Sequence, residues 1–96
     1  MNVAVLTGDP LFRSAATGVI GALGHALVTD AAAGDCVVCD VATVAWGEIA
    51  ATLDPFRTIL FLPAAGGGAM SAGFVHTAPR TALPVQLPEL LALLDS

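Results

Sequence analysis

Two aspartates stand where chemistry would be possible. Asp40 belongs to the run Asp-Cys-Val-Val-Cys-Asp-Val (35–41), whose continuous apolar centre reads as a strand buried on both faces of a parallel sheet. It therefore falls at the carboxyl end of that strand, beside the crevice where open α/β sheets carry ligands and reactions. A reactive carboxylate is useful there only if other groups stand beside it. Asp9 follows the apolar run Val3–Leu6 and precedes Pro10. It reads as a helix N-cap in preference to a metal ligand, with proline in the first helical position, where its missing N–H costs nothing.

The remaining candidates carry less. Cys36 and Cys39 form the only Cys-x-x-Cys, a spacing used by redox pairs and by half zinc sites. A redox pair needs a helix N-terminus to lower a thiol pKa, and these two lie within a strand, where a three-residue offset sends them to opposite faces. With no second ligand pair, they are expected to be buried and inert. Gly66-Gly67-Gly68 lacks the spacing and the lysine of a phosphate loop. Ser71 has no Gly-x-Ser-x-Gly context. His25 and His76 have no partner at metal spacing and read as solvent-edge residues, and Trp46 as core or interface.

The elements that would position Asp9 and Asp40 follow from the hydrophobic pattern. A first strand, Val3–Leu6, leads to a helix whose Phe12, Ala15, Ala16, Val19, Ile20 and Leu23 recur at three- and four-residue steps. Gly24 suits the left-handed residue that ends it. Ala26–Thr29 is a short second strand, separated from the strand at Asp35 only by Asp30–Gly34. That link is too short for a crossover helix. A short helix over Ala45–Leu53, a fourth strand Ile59–Leu62, a weak helix over Ala69–Thr77, a fifth strand Thr81–Val85 and a final helix from Pro88 to Leu94 complete the chain. Strands alternating with helices predict an α/β fold built on a mostly parallel sheet.

Composition limits the function. The 96 residues make one domain, 1–96, with 56% hydrophobic and 11% charged residues and a net charge of −5. Three arginines and no lysine leave no basic stripe for nucleic acid or for an anionic membrane. No apolar run reaches the roughly 20 residues needed to span a bilayer. The first residues lack the basic start of a signal peptide, so a cytoplasmic location is expected. So little polar surface implies an exposed apolar patch, the usual mark of a partner surface.

Four segments together resemble the receiver domain of bacterial response regulators, the CheY-like, flavodoxin-like fold. They are Val-Leu-Thr-Gly-Asp-Pro-Leu-Phe-Arg (5–13), Leu-Gly-His-Ala-Leu-Val-Thr (23–29), the run 35–41, and Leu-Pro-Val-Gln-Leu-Pro-Glu-Leu-Leu (83–91). The resemblance implies a three-layer sandwich with five parallel strands in the order 2-1-3-4-5 and the first and last helices on one face. The second helix is expected to be missing or reduced to a turn.

It also implies that Asp40 holds the place of the aspartate that accepts a phosphoryl group. The acidic pair that binds Mg²⁺ is replaced by Thr7 and Gly8, with Asp9 as the further acidic residue. The Thr or Ser ending the fourth strand is replaced by Pro63, and the lysine before the proline of the fifth strand by Leu83, ahead of Pro84. The peptide before Pro84 is expected to be cis. Phosphoryl transfer to a carboxylate needs a divalent cation to neutralise developing charge, and Asp40 facing Thr7 and Gly8 is a poor Mg²⁺ site.

The expectation is therefore a pseudo-receiver: not an enzyme, without cofactor, acting in signalling or transcription control through protein contacts. The alternative is a phosphorylatable or small-ligand switch using the crevice at Asp9, Asp40 and Pro63. Removing the second helix should also uncover strand residues, with Val3, Val5, Val28, Val37 and Val38 as candidates. A two-fold homodimer is expected, formed through that face or through the surface of the fourth helix, fifth strand and last helix, where Leu83, Val85 and Leu90 contribute.

Overall fold

The computed structural model describes residues 1–63 and 73–95. Its strands are β1 (Asn2–Leu6), β2 (Ala26–Val28), β3 (Cys36–Asp40), β4 (Thr58–Leu62) and β5 (His76–Pro79). All pair in parallel, in the order β2-β1-β3-β4-β5. The helices are α1 (Pro10–Ala22), the single turn α2 (Trp46–Ile49) and α3 (Leu83–Asp95). The fold is α/β, with the expected strand order. No helix among the described residues is long and apolar enough to cross a membrane.

β3 is buried along its whole length, as a central parallel strand must be. Its register against β1 sets Leu6 opposite Cys39, and against β4 sets Asp40 opposite Phe61. Asp40 thus ends the central strand, one residue beyond the last β1 pairing. α1 begins where Asp9 caps it, the side chain accepting from Leu11 N at 3.0 Å. Phe12, Ala16 and Ile20, four residues apart, form its buried stripe. The helix ends at Gly24, whose φ of +82° is the left-handed conformation that glycine adopts without penalty.

Strand alternation divides the core into two clusters. Val3, Val5, Cys36, Val38, Ile59 and Phe61 pack against α1 and α3, so the first and last helices share a face. Ala4, Val37, Cys39 and Leu60 face the other way, with Leu53, Trp46, Ile49 and Phe74 over them. The cysteines lie on opposite faces as expected, and burial raises their thiol pKa values to about 11 for Cys36 and about 12 for Cys39.

Several expectations are corrected. Between β2 and β3 the chain makes one 3₁₀ turn, Ala31–Ala33, capped by Asp30. The second helix is indeed reduced to a turn, yet the sheet is not laid bare. Val3, Val5 and Val38 point to the α1/α3 face, and Val37 is buried beneath the turn and Leu53. Of the five valines proposed as uncovered, only Val28 is partly exposed.

The fifth strand is His76–Pro79 and not Thr81–Val85. It is a polar edge strand with only Ala78 buried, so it carries no apolar run to mark it. Leu83 and Val85 belong instead to α3, which begins at Leu83 and not at Pro88. Leu83, Leu87 and Leu91 keep a four-residue stride into the core. Burial of this stripe outweighs the helical hydrogen bond that Pro88 cannot make, a loss of about 3 kcal/mol. No cis peptide occurs among the described residues, and the bond before Pro84 is trans. Of the weak helix expected over 69–77, His76 and Thr77 are strand. Gly66–Gly68, Met70 and Ser71 lie outside the described residues.

Candidate functional site

The end of β3, the loop after β1 and the turn after β5 meet at Asp40. Its side chain is 0% exposed, and a buried carboxylate requires compensating donors. Arg80 supplies two. Nε donates to Oδ1 at 2.7 Å and Nη2 to Oδ2 at 3.0 Å, the side-on fork that suits a carboxylate. Thr7 and Thr43 supply the others, their hydroxyls donating to Oδ2 at 2.9 and 3.0 Å. With both hydroxyl protons directed at Asp40, the 3.1 Å approach between Thr7 and Thr43 oxygens is a packing contact.

The same hydroxyl oxygens accept from backbone. Asp9 N donates to Thr7 Oγ1 and Gly8 N to Thr43 Oγ1, both at 3.0 Å. The loop after β1 is thereby tied to the turn Val41–Thr43 after β3. Gly8 suits this closeness, since a Cβ there would stand 3.0 Å from the Thr43 carbonyl oxygen and push it back by a few tenths of an ångström.

Arg80 is the first residue after β5. It must reach past β4 to β3, two inter-strand spacings of about 4.8 Å each, which an extended arginine can do and a short side chain cannot. On the way its guanidinium lies 5.6 Å from the centre of the Phe12 ring, a cation–π contact. The second hydrogen of Nη2 goes to Asp9 Oδ2 at 2.7 Å. One guanidinium thus bridges two carboxylates from different elements. The hydrogen bond from Arg80, then that from Leu11 N, holds Asp9 below the usual 3.8 of an aspartate. Asp40 first, then Asp9, raise the pKa of Arg80 in turn.

The structure therefore brings together Asp40, Thr7, Gly8 and Asp9, as the sequence implied. Pro63 directly follows β4 and is half-buried. Leu83 takes no part: it is the first residue of α3 and is buried in the core against α1. Of the residues named for an interface, Leu83 is thus enclosed and Leu90 is packed against that core, while Val85 is exposed.

Two members of the site were missed. Thr43, three residues after Asp40, has the spacing of a local hydroxyl-to-backbone turn, and also bonds to the Asp40 carbonyl at 3.3 Å. Arg80 was hidden by the misplaced fifth strand. With β5 ending at Pro79, the next residue is a cation, and it stands beside Asp40 although Leu83 replaces the lysine that the resemblance implied.

Whether Mg²⁺ fits can be judged from the donors. Mg²⁺ takes carboxylate oxygens and waters in octahedral array. Asp9 Oδ1 caps α1, Asp9 Oδ2 and both Asp40 oxygens hold Arg80, and Thr7 and Gly8 add no charge. The residues present do not fit the ion. Comparisons with protein-family models, curated proteins and solved structures found no match.

Proposed function

We propose that this chain is a regulatory interaction module, a flavodoxin-like pseudo-receiver that acts through protein contacts and pairs with a second copy of itself. It works without enzymatic activity, cofactor or phosphorylation. One observation carries the reading: the guanidinium of Arg80 fills the space between Asp9 and Asp40 and takes up both oxygens of the strand-end carboxylate. A carboxylate accepts a phosphoryl group only with a free oxygen in line with the donor and a mobile cation to neutralise the charge that develops. Here the cation is covalently part of the chain, and the acceptor is enclosed. The crevice of a switch has become a strut joining β1, β3 and β5. A domain held in one state is suited to presenting a fixed surface.

Intact-mass spectrometry after incubation with acetyl phosphate and Mg²⁺ tests this. The expected result is an unchanged mass. A gain of one phosphoryl group, absent in Asp40→Asn, would show that the strut opens and that the site is a working acceptor.

Pairing is tested separately. The face of α3 carries exposed Val85 and Leu93, with Val75 exposed just before β5. Sedimentation velocity across a wide concentration range should show a dimer, and Val85→Arg should return it to monomer. A single monomeric species at the highest concentration would remove self-association from the proposal.

A further inference from the structure

At the opposite end of the sheet, the shortened β2–β3 connection leaves a cavity of about 470 Å³ at the amino ends of β3 and β4. This is within the range of small-molecule sites, about 300–1,000 Å³. One wall is the turn Ala31–Ala33, the other the segment from Thr52 to Asp54, and Val37 and Leu53 contribute apolar surface. Three aspartates line it, Asp30, Asp35 and Asp54, with one cation, Arg57. We propose that this cavity binds a small aliphatic amine, a compact organic cation with a short apolar body.

The carboxylates are held but not neutralised. Each aspartate uses one oxygen on a backbone N–H: Asp30 on Ala32, Asp35 on Asn2 and Asp54 on Phe56, at 3.0, 2.8 and 2.9 Å. These bonds fix the side chains and leave the second oxygens without a partner among the described residues. Arg57 offsets at most one of the three charges and forms no ion pair with them among the described residues. Its Nε donates to the Asp35 main-chain carbonyl, and the ion pairs among the described residues are those of Arg80.

A second, independent feature is Thr58. It lines the same cavity, is 1% exposed, and its hydroxyl has no hydrogen-bond partner among the described residues. Strand alternation puts it on the face of Leu60, toward the cavity side and away from α1 and α3. An unpaired buried hydroxyl is costly, and a ligand N–H reaching it would satisfy its oxygen. A divalent metal is the poorer occupant. It needs six or more oxygens gathered at about 2.0–2.6 Å, and no cluster of acidic, histidine or cysteine side chains among the described residues can hold one. An ammonium group needs only two or three acceptors and tolerates carboxylates spread around an apolar floor.

The site does not depend on the reading of Asp40. NMR titration of the full chain with n-butylamine and with 1,4-diaminobutane, at a fixed ionic strength of about 0.15 M, tests it. The expected result is saturable binding, with shifts concentrated at residues 30–37 and 52–58, weakened about tenfold in Asp54→Asn and in Thr58→Val, as for loss of a charge-assisted hydrogen bond. Asp54→Asn keeps the bond from Phe56 N, and Thr58→Val is nearly isosteric, so both variants should fold. Non-saturable shifts, equal binding in Asp54→Asn, or equal displacement by MgCl₂ at matched ionic strength would overturn the proposal, since each describes a counterion atmosphere and not a site.

Discussion

Arg80→Met should lower the unfolding free energy by about 3 kcal/mol, read as a fall in the urea midpoint of more than about 1 M. Methionine keeps much of the length and the apolar contact with Phe12 but donates no hydrogen bond. Asp40 would keep only the hydroxyls of Thr7 and Thr43. Removing one partner of a buried pair costs roughly 3–5 kcal/mol because the other charge is left behind. Arg80 is 32% exposed, so water enters when it is cut back, and the lower end of that range applies. For a domain whose whole stability is of order 5–15 kcal/mol, this is a large fraction.

Arg80→Lys should recover only part of the loss, since an ammonium supplies charge without the planar fork. Asp40→Asn should be milder, because it removes the buried charge while Arg80 keeps Asp9. A loss below about 1 kcal/mol for Arg80→Met would mean that Asp40 is hydrated without its partner, and the strut would not be what holds this end of the sheet.

Leu87→Ala should cost about 3–4 kcal/mol, comparable to Leu91→Ala, within the roughly 2–5 kcal/mol seen for fully buried leucines. Leu87 is 0% exposed and sits at the centre of the stripe Leu83, Leu87, Leu91, facing the sheet with Phe61 and Ile20. The cost combines lost transfer energy and the cavity left behind, which α3 cannot close because Pro88 and its neighbours fix its path. Had the helix begun at Pro88, Leu87 would be a connecting residue and its truncation would be mild. Thermal or urea unfolding of the two alanine variants therefore also tests where α3 begins. A loss at Leu87 under about 1 kcal/mol would place that stretch outside the core.

Local pattern determined much of this protein. Continuous apolar runs at Val3–Leu6, 36–39 and Ile59–Leu62 mark central strands because a strand covered on both faces of a parallel sheet has no solvent side to keep polar, and runs of four are too short for a buried helix. Asp9-Pro10 marks the start of α1 because capping is a local interaction. The five residues from Asp30 to Gly34 rule out a crossover helix by length alone. From these came the α/β class and the position of Asp40 at a strand end, whereas the strand order was implied only by the resemblance of segments 5–13, 23–29, 35–41 and 83–91 to receiver domains.

What the pattern did not contain is the partner of Asp40. β5 is an edge strand, His-Thr-Ala-Pro, paired through its backbone to β4 and buried at one residue, so no hydrophobic signal reports it. Leu83 and Val85, expected in a strand, belong to α3, where Leu83 opens the helical stride Leu83, Leu87, Leu91. Arg80 and Asp40 are 40 positions apart and are joined only once β5 is laid against β4 and the guanidinium crosses to β3. The cover over Val37, too, comes from a 3₁₀ turn and Leu53, which share no local pattern. Side-chain partnership across a sheet depends on which strands are neighbours and where each ends. That is a property of the assembled backbone, and it is why tertiary structure alone decided that the strand-end carboxylate is locked.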